Sequence, residues 1–314
     1  MAPQRIIVIG GPTASGKSWV ARELARALGG AVINADSMQV YAELPILTAQ
    51  PDAAAMGAVP HRLYGVMSVR ETCSAARWAD LAWREVDAAV AAGLVPIVAG
   101  GTGLYLRTLM QGLAPVPEIP ADIRESTRTL LKELGPSAFH ARLAGRDPAA
   151  AARIRPTDRQ RLARAWEVLE ATGRPLSAWQ AEGALARPGA EFLTFILDPE
   201  RKSLYATIDR RFAEMVRHGA LEEARVLSAM ALPEQLPALK ALGLRELLDH
   251  LAGRIDLAEA TAAAQQASRR YAKRQMTWFR HQIDAANFIT GFEVVETSME
   301  RILPKILSDI RNSH

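Results

Sequence analysis

Gly11-Pro12-Thr13-Ala14-Ser15-Gly16-Lys17-Ser18 follows directly on the apolar run at residues 6–9. The pattern Gly-x4-Gly-Lys-Ser is typical of a loop whose glycines let backbone N–H groups converge on phosphate oxygens; the alternative is a chance glycine-rich turn. In such a loop Lys17 lies against the terminal phosphate and the Ser18 hydroxyl binds Mg²⁺. Apolar residues continue at helical spacing as far as Gly29-Gly30. The stretch therefore predicts a strand, a phosphate loop and a helix whose N-terminus favours phosphate.

The composition is that of an ordinary globular protein. At 314 residues the chain can bury a large core, and we expect one main domain with a smaller one inserted or appended. No apolar run approaches bilayer length, and the N-terminal run is too short for a signal peptide. The single cysteine, Cys73, cannot form an internal disulfide, which is typical of a cytoplasmic protein. Only six of the 38 basic residues are Lys, so Arg predominates. Arg suits planar phosphates and stacked bases, and its excess is weak support for a partner of that kind.

Short apolar runs alternate with helical patterns along the chain, as in a parallel sheet with helices on both faces. The runs lie at residues 6–9, 31–33, 63–67, 94–99 and 192–197. The fold class predicted is α/β, with a P-loop NTPase-like parallel sheet and a helical insertion domain. Prolines punctuate both ends of the long gap between the last two runs.

The predicted domains follow from that gap. We expect a catalytic core at residues 1–112 and 191–314, and a helical insertion at residues 113–190. After the last run, a long amphipathic helix is predicted at residues 202–230, and another from Leu257 towards Ile283.

Asp36 follows the second predicted strand, within Asn34-Ala35-Asp36-Ser37-Met38-Gln39-Val40-Tyr41. In a doubly wound sheet the carboxyl ends of the strands meet at the ligand crevice, so we expect Asp36 to face the phosphate loop. A carboxylate there can be a general base or a metal ligand. The alternative is that Asp36 caps a following helix.

The fourth apolar run ends in Gly100-Gly101-Thr102-Gly103. It lacks the acidic residue that a nucleotide hydrolase often places there for Mg²⁺. Thr102 stands at this position instead and opens a helix. Its hydroxyl either hydrogen-bonds a substrate or caps that helix.

Two segments are rich in basic residues. Residues 153–164 hold five arginines against one acid, and residues 268–280 hold five basic residues interleaved with aromatic ones. Such segments suit a nucleic-acid surface through phosphate neutralisation and base stacking, although a solvated helix face is the usual explanation of a charge run. Two of them in a phosphate-binding chain favour RNA or DNA as a partner.

Five motifs together resemble those of the tRNA dimethylallyltransferase family, also called the IPP transferase family. The motifs are the phosphate loop, Asn34-Ala35-Asp36-Ser37-x-Gln39-Val40-Tyr41, Gly100-Gly101-Thr102-Gly103-Leu104-Tyr105, Gln160-Arg161-x-x-Arg164-Ala165-x-Glu167-Val168 and Lys273-Arg274-Gln275-x-Thr277-Trp278. The resemblance implies transfer of a dimethylallyl group from dimethylallyl diphosphate to the exocyclic amine of the adenosine 3′ of the anticodon in tRNA. Diphosphate is released, and Mg²⁺ is the expected cofactor. The expected partners are the tRNA anticodon arm and the prenyl donor dimethylallyl diphosphate. We expect the protein to be a cytoplasmic monomer that does not bind a membrane.

The resemblance also implies roles for individual residues. It makes Asp36 the base on the adenine amine, with Thr102 beside it, while the metal ligand Ser18 follows from the phosphate-loop pattern. The diphosphate-binding residues it implies are Gly11, Pro12, Thr13, Ala14, Ser15, Gly16, Lys17, Ser18 and Arg211. The tRNA contacts it implies are Asp36, Ser37, Met38, Gln39, Thr102, Arg124, Gln160, Arg161, Leu162, Ala163, Arg164, Lys240, Gly243 and Arg245. For Arg211 the alternative is an exposed charge on a helix.

Three parts of the sequence depart from the family pattern. Met38 stands where many members have Arg, so this contact with tRNA is not ionic. The run at residues 42–51 lacks the Gly and Lys that members commonly show around Thr48-Ala49, and His61-Arg62 replaces a frequent His-His. We expect these changes to lie near the prenyl side of the site.

Two other classes of protein share the first motif. A small-molecule kinase would have the same fold and phosphate loop, with ATP as its nucleotide. A nucleotide-dependent RNA-binding switch would need loops that sense the γ-phosphate, and normally a strand-end Asp for Mg²⁺. Neither class explains the motifs after the second and fourth strands together.

Overall fold

Six parallel strands form one sheet in a computed structural model that describes residues 4–183, 186–283 and 286–312. The strands are β1 (Gln4–Gly10), β2 (Gly30–Asn34), β3 (His61–Arg62), β4 (Val95–Gly100), β5 (Ala190–Asp198) and β6 (Asn287–Thr290). Their order across the sheet is β3-β2-β4-β1-β5-β6. The α/β class with a parallel sheet is confirmed, and β1 lies centrally between β4 and β5.

The helices connect these strands and cover the sheet. They are α1 (Lys17–Leu28), α2 (Ala53–Ala58), α3 (Ala75–Ala91), α4 (Gly103–Gln111), α5 (Ala121–Ala144), α6 (Pro148–Arg153), α7 (Arg159–Thr172), α8 (Leu176–Ala181), α9 (Arg201–Met215), α10 (Leu221–Ala229), α11 (Leu244–Leu251), α12 (Leu257–Gln282) and α13 (Glu296–Asn312). Within the described ranges, no helix has both the length and the apolar composition that membrane crossing needs.

Successive side chains of the central strand enter two different apolar layers, because side chains alternate along a strand. Ile7 and Ile9 are buried with residues of α1 and α13 on one face of the sheet. Ile6 and Val8 are buried with residues of α3, α4 and α12 on the other face. Burial on both faces explains why β1 is an unbroken apolar run in the sequence.

The chain divides into two compact units, one formed by Met1–Met110 with Pro188–His314 and the other by Gln111–Arg187. The second unit contains α5 to α8 and has an apolar core of its own. In that core Phe139 is fully buried, and its ring lies 5.3 Å from the ring of Trp166. Leu143 and Leu162 complete the same cluster.

Three details differ from the sequence-based expectations. The strand expected at residues 63–67 is wrong: β3 lies at His61–Arg62, because Leu63 and Gly65 have φ of 63° and 58° and break the extended backbone. The helix expected at residues 202–230 is two helices, α9 and α10, joined by a wide π-type turn at Val216–Ala220 that contains Gly219 at φ 110°. Strand β6 was not predicted.

Candidate active site

The phosphate loop runs from the end of β1 to the start of α1, as expected. Gly16 takes φ 85° at the N-cap of α1, a conformation that suits glycine. Ala14 takes φ 62°, which costs about 1–2 kcal/mol for a residue with a side chain. The first amides of α1 have no acceptor within the helix, and its dipole favours negative charge at this end. The loop is thus built to receive an anion.

Two cations, Lys17 and Arg211, and one carboxylate, Asp36, interact electrostatically at this loop. Protein packed around the Lys17 ammonium lowers the pKa of that group to about 8, opposed by Asp36 and assisted by Arg211, although the residue keeps some solvent exposure. Desolvation also lowers the pKa of Arg211, and Asp36 again opposes the shift. Arg211 donates to the Thr13 hydroxyl, and Lys17 Nζ donates to Pro12 O at 3.3 Å. Arg211 is therefore not an exposed helix charge.

Asp36 is held in place by the buried side chain of Asn34 at the end of β2. Asn34 Oδ1 accepts from Asp36 N at 2.8 Å, and Asn34 Nδ2 donates to Asp36 O at 3.1 Å. Asp36 Oδ1 accepts from Met38 N at 2.9 Å, and in the described part of the chain no donor is bonded to Oδ2. Asp36 does not cap a helix, because the next helix, α2, begins at Ala53 and is capped by Asp52.

Thr102 ties the end of β4 to the segment that carries Asp36. Its Oγ1 accepts from Ser37 N at 2.9 Å and donates to Ser37 Oγ at 3.2 Å. The Thr102 carbonyl accepts the first bonds of α4, as at an N-cap, but among the described residues the Thr102 hydroxyl bonds to Ser37 and to no amide of α4. A Cβ on Gly100 would overlap the backbone of Ala35, so glycine permits this close approach of β2 and β4.

A cavity of about 320 Å³ adjoins these groups. It brings together six residues predicted for the site: Thr13, Asp36, Ser37, Met38, Arg211 and Lys240. Its apolar lining, which the sequence interpretation did not assign to the site, consists of Leu47, Ile208, Phe212, Met215 and Leu242. Three more residues, Ser268, Tyr271 and Arg274, enter it from α12. The cavity therefore joins charged groups near the phosphate loop to an apolar wall.

Gln275 is a buried residue that the sequence interpretation quoted in a motif without giving it a role. Its Oε1 accepts from Thr13 N at 2.8 Å, and its Nε2 donates to Gly101 O at 2.7 Å. It thus connects the phosphate loop to the glycine-rich turn before Thr102. The available signal was a polar residue among the apolar positions of α12 that face the core.

The basic segment at residues 268–280 is only partly a free surface. Arg269 pairs with Asp209, and Arg280 pairs with Asp198 at 2.6 Å. Arg274 lies 5.6 Å from the centre of the Tyr271 ring. Several of the basic side chains that were predicted to bind nucleic acid therefore have partners within the protein.

Some predicted residues do not line the cavity of Asp36. Gln39 donates to the carbonyls of Thr48 and Ala49, at 2.8 and 2.9 Å, and so supports a neighbouring turn. Ser18 is exposed and lines another cavity, of about 490 Å³, with residues that include Arg22 and Tyr64. Gly243, at φ 84°, packs against the cavity residue Phe212, and Arg245 is exposed on α11.

The remaining predicted tRNA contacts belong to the unit Gln111–Arg187. The side chains of Arg124, Gln160, Arg161 and Arg164 are exposed, whereas that of Leu162 is buried in the core of the unit. Desolvation raises the pKa of Glu167, and this shift is opposed by the charges of Arg164, Arg124 and Arg128. The charges of three arginines therefore act on one carboxylate, and the four groups together carry an excess of positive charge.

A family model described as IPP transferase matches residues 39–282. The chain belongs to the IPP transferase family. A tRNA dimethylallyltransferase of Rhodospirillum centenum is 55% identical over 296 residues, covering 94% of each chain. One of Paramagnetospirillum magneticum is also 55% identical, covering 93% of this chain and 92% of its relative. The family prediction is confirmed, and the IPP transferase assignment is favoured over the kinase alternative.

Solved structures of IPP transferases have the same fold. The full-length tRNA isopentenylpyrophosphate transferase of Bacillus halodurans is 32% identical with a TM-score of 0.71, covering 98% of this chain and 96% of that one. A eukaryotic dimethylallyltransferase acting on tRNA is 25% identical with a TM-score of 0.83, covering 98% of this chain and 80% of that one. The similarity therefore extends over nearly the whole chain.

Proposed function

We propose that this protein transfers a dimethylallyl group from dimethylallyl diphosphate to the exocyclic amine of the adenosine 3′ of the anticodon in tRNA. The observation that carries the proposal is that Asp36 and Arg211 line one cavity, and that both interact electrostatically with Lys17 of the phosphate loop. A base for the acceptor thus lies beside the groups that bind the leaving diphosphate. The family and the names of its relatives agree with this reaction.

In this reaction the adenine nitrogen forms a bond to the first carbon of the prenyl group as the bond from that carbon to oxygen breaks. The diphosphate leaves with the electron pair. The amine is a weak nucleophile because its lone pair is delocalised into the ring, so Asp36 Oδ2 accepts its proton as the new bond forms. Lys17, Arg211 and the amides at the start of α1 stabilise the charge that develops on the diphosphate.

Asp36 and Thr102 act together on the acceptor in this proposal. The Thr102 hydroxyl holds the backbone at Ser37, and the Asn34 side chain holds the backbone of Asp36. These contacts fix the direction of the carboxylate towards the amine. The adenine reaches it by leaving its stack in the anticodon loop.

Mg²⁺ is the metal that we expect with the diphosphate. The described residues contain no cluster of three or more His, Cys, Asp or Glu side chains that could hold a metal ion. The hydroxyl of Ser15, in the phosphate loop, is buried and has no hydrogen-bond partner among them. The exposed Ser18 hydroxyl at the start of α1 is an oxygen ligand of the kind that Mg²⁺ prefers, and we propose it as the protein ligand of a cation carried by the substrate phosphates. When bound, it would neutralise charge on the leaving group.

The insertion residues Arg124, Gln160, Arg161, Ala163 and Arg164 are proposed to hold the anticodon arm through its phosphates. In the core, Ser37, Met38, Lys240 and Arg245 contact the same substrate. Since that substrate is tRNA, we expect the enzyme to act in the cytoplasm. We expect the protein to be a monomer, and a measurement of the molar mass of the purified protein in solution tests this.

The test is incubation of the purified protein with dimethylallyl diphosphate, Mg²⁺ and unmodified tRNA that bears adenosine at the expected position. Nucleosides from digested tRNA are then analysed by mass. We expect adenosine to gain one dimethylallyl group in place of a hydrogen, with one diphosphate released per transfer. Unchanged adenosine together with phosphoryl transfer from ATP to a small acceptor would replace this proposal by the kinase.

A further inference from the structure

The turn at residues 45–50 forms part of the cavity wall, and it lies in the run that departs from the family pattern. Leu47 and Thr48 line the cavity that contains Asp36. Local backbone hydrogen bonds fold the turn, among them Gln50 N to Pro45 O at 2.9 Å. These local bonds leave the amides of Ile46 and Leu47 to be satisfied from elsewhere.

Glu223 satisfies both of those amides from a distant part of the chain. Its Oε1 accepts from Ile46 N at 2.9 Å, and its Oε2 accepts from Leu47 N at 2.7 Å. The residue is only 9% exposed, and no Lys, Arg or His forms an ion pair with it among the described residues. A buried carboxylate costs free energy unless its oxygens are hydrogen-bonded, and here each oxygen has a backbone partner. Burial raises the pKa of Glu223, and the two amides oppose that shift.

The break between α9 and α10 directs Glu223 towards this turn. Gly219, at φ 110°, lies in the wide turn that joins the two helices. A Cβ on Gly219 would come within 3.2 Å of Ile46 Cδ1, so the wall turn packs closely against the helix break. Met215, one turn before the break, lines the same cavity. One kinked element therefore supplies part of the wall and the carboxylate that holds the rest.

We propose that Glu223 is a positioning residue for prenyl transfer, which fixes the Ile46–Leu47 backbone and so holds the cavity wall at Leu47 and Thr48. This inference rests on the proposed function. Glu223 does not touch the reacting atoms; it acts through the wall that confines the donor and the adenine. Because a misplacement of about 1 Å can cost about 100-fold in rate, a loosened wall slows the chemical step more than it weakens binding.

The test compares Glu223→Gln with Glu222→Gln. Glutamine has nearly the same volume as glutamate but turns an NH2 group towards one of the two amides, so one hydrogen bond is removed. Glu222 is exposed and pairs with Arg225 on the same helix, which makes it a matched control for the removal of one charge. Glu223→Asp, which keeps the charge and shortens the side chain, is measured in parallel in case Glu223→Gln does not fold.

We expect the single-turnover rate at saturating donor and tRNA to fall about 10- to 100-fold in Glu223→Gln, with tRNA affinity within twofold of the wild type. Geranyl diphosphate should also become a relatively better donor, because the wall yields to a longer chain. Hydrogen exchange at the Ile46 and Leu47 amides should accelerate. Glu222→Gln should match the wild type, and Glu223→Asp should show the same changes in smaller degree.

An unchanged single-turnover rate and unchanged donor preference in folded Glu223→Gln or Glu223→Asp, despite faster exchange at Ile46 and Leu47, would overturn the inference. Failure of the proposed function gives a different result, since the wild-type protein would then transfer no prenyl group. Unaltered exchange at both amides in either variant would also overturn it, independently of any activity.

Discussion

Asp36 accepts a hydrogen bond from the Met38 amide through one carboxylate oxygen, and asparagine would keep that acceptor. Asp36→Asn therefore preserves the local fold but removes the carboxylate that we propose as the base. We expect the single-turnover rate of prenyl transfer to fall by about 10²–10⁴, with tRNA affinity largely retained. Rapid-quench measurement at saturating substrates gives this rate.

The control for this substitution is Asp256→Asn, at the exposed N-cap of α12, where the same chemical change should leave the rate unaltered. A normal rate in Asp36→Asn would show that the only role of this side chain is to accept the hydrogen bond from the Met38 amide. Proton transfer would then have to be assigned elsewhere.

The pKa of Lys17, lowered to about 8 in the free protein, gives donor capture a pH dependence. Below that pH the ammonium is charged and attracts diphosphate, and above it the neutral amine does not. Because kcat/KM reports ionisations of the free enzyme, kcat/KM for the donor should fall as pH rises through about 8. Bound diphosphate favours the charged form, so kcat should decline only at higher pH.

Lys17→Arg tests whether Lys17 causes the fall in kcat/KM on the alkaline side of the pH profile, the alkaline limb. A guanidinium stays charged throughout this range, so the variant should lose the limb even if its absolute activity is lower. Persistence of the same limb in Lys17→Arg would assign the ionisation to another group.

At the level of elements, the central strands could be predicted from the sequence because burial on both faces makes them continuous apolar runs. The helices α1 and α12 were predictable from their spacing and from their flanking loops. By contrast, β3 has two residues and β6 has four, so neither carries a pattern that distinguishes it from a loop. The break at Gly219 interrupts a pattern that otherwise reads as one helix.

The site divides in the same way. Asp36 and Thr102 stand at strand ends, where parallel-sheet topology brings side chains together, so their proximity could be expected. Gln275 and Glu223 bond to backbone groups 262 and 176 residues away, respectively, and no local pattern encodes such partners. Sequence reasoning therefore found the groups at the strand ends but not those that hold the loops around them.

Gln275 couples two elements, and this can be tested by Gln275→Met. The substitution leaves Thr13 N and Gly101 O without their present partner, which costs about 1–3 kcal/mol at the buried Gly101 carbonyl and less at the part-buried Thr13 amide. We expect a lower melting temperature and a KM for the donor raised about tenfold or more, because the phosphate loop is no longer fixed. Affinity for tRNA should change little.

Gln282→Met is the matched control, because Gln282 is exposed at the end of α12 and bonds to Arg107. It should leave both the melting temperature and the donor KM near the wild-type values. A Gln275→Met enzyme that loses only thermal stability would mean that the bridge supports the fold and has no part in donor binding.

Over the whole molecule, charge is distributed between two units with separate cores. The unit with the sheet contains Asp36, Lys17 and Arg211, whereas the unit Gln111–Arg187 contains three arginines around Glu167. Surface ion pairs contribute about 0–1 kcal/mol, so the exposed pair Arg161–Asp158 adds little to folding. The exposed guanidinium of Arg161 therefore remains available to a polyanion, which fits a role in binding tRNA.

Arg161→Gln and Arg164→Gln should therefore weaken tRNA binding, mainly because each removes a positive charge that we propose faces a phosphate. Each such removal should flatten the slope of log K against log salt concentration by about 0.7–0.9, with little change in the single-turnover rate at saturating tRNA. Titrations at several salt concentrations measure the slope. Arg225→Gln, in the other unit, removes one exposed charge of the same kind and should leave it unchanged. If all three variants keep the wild-type slope, the arginines of α7 form a solvated face, and tRNA is held elsewhere.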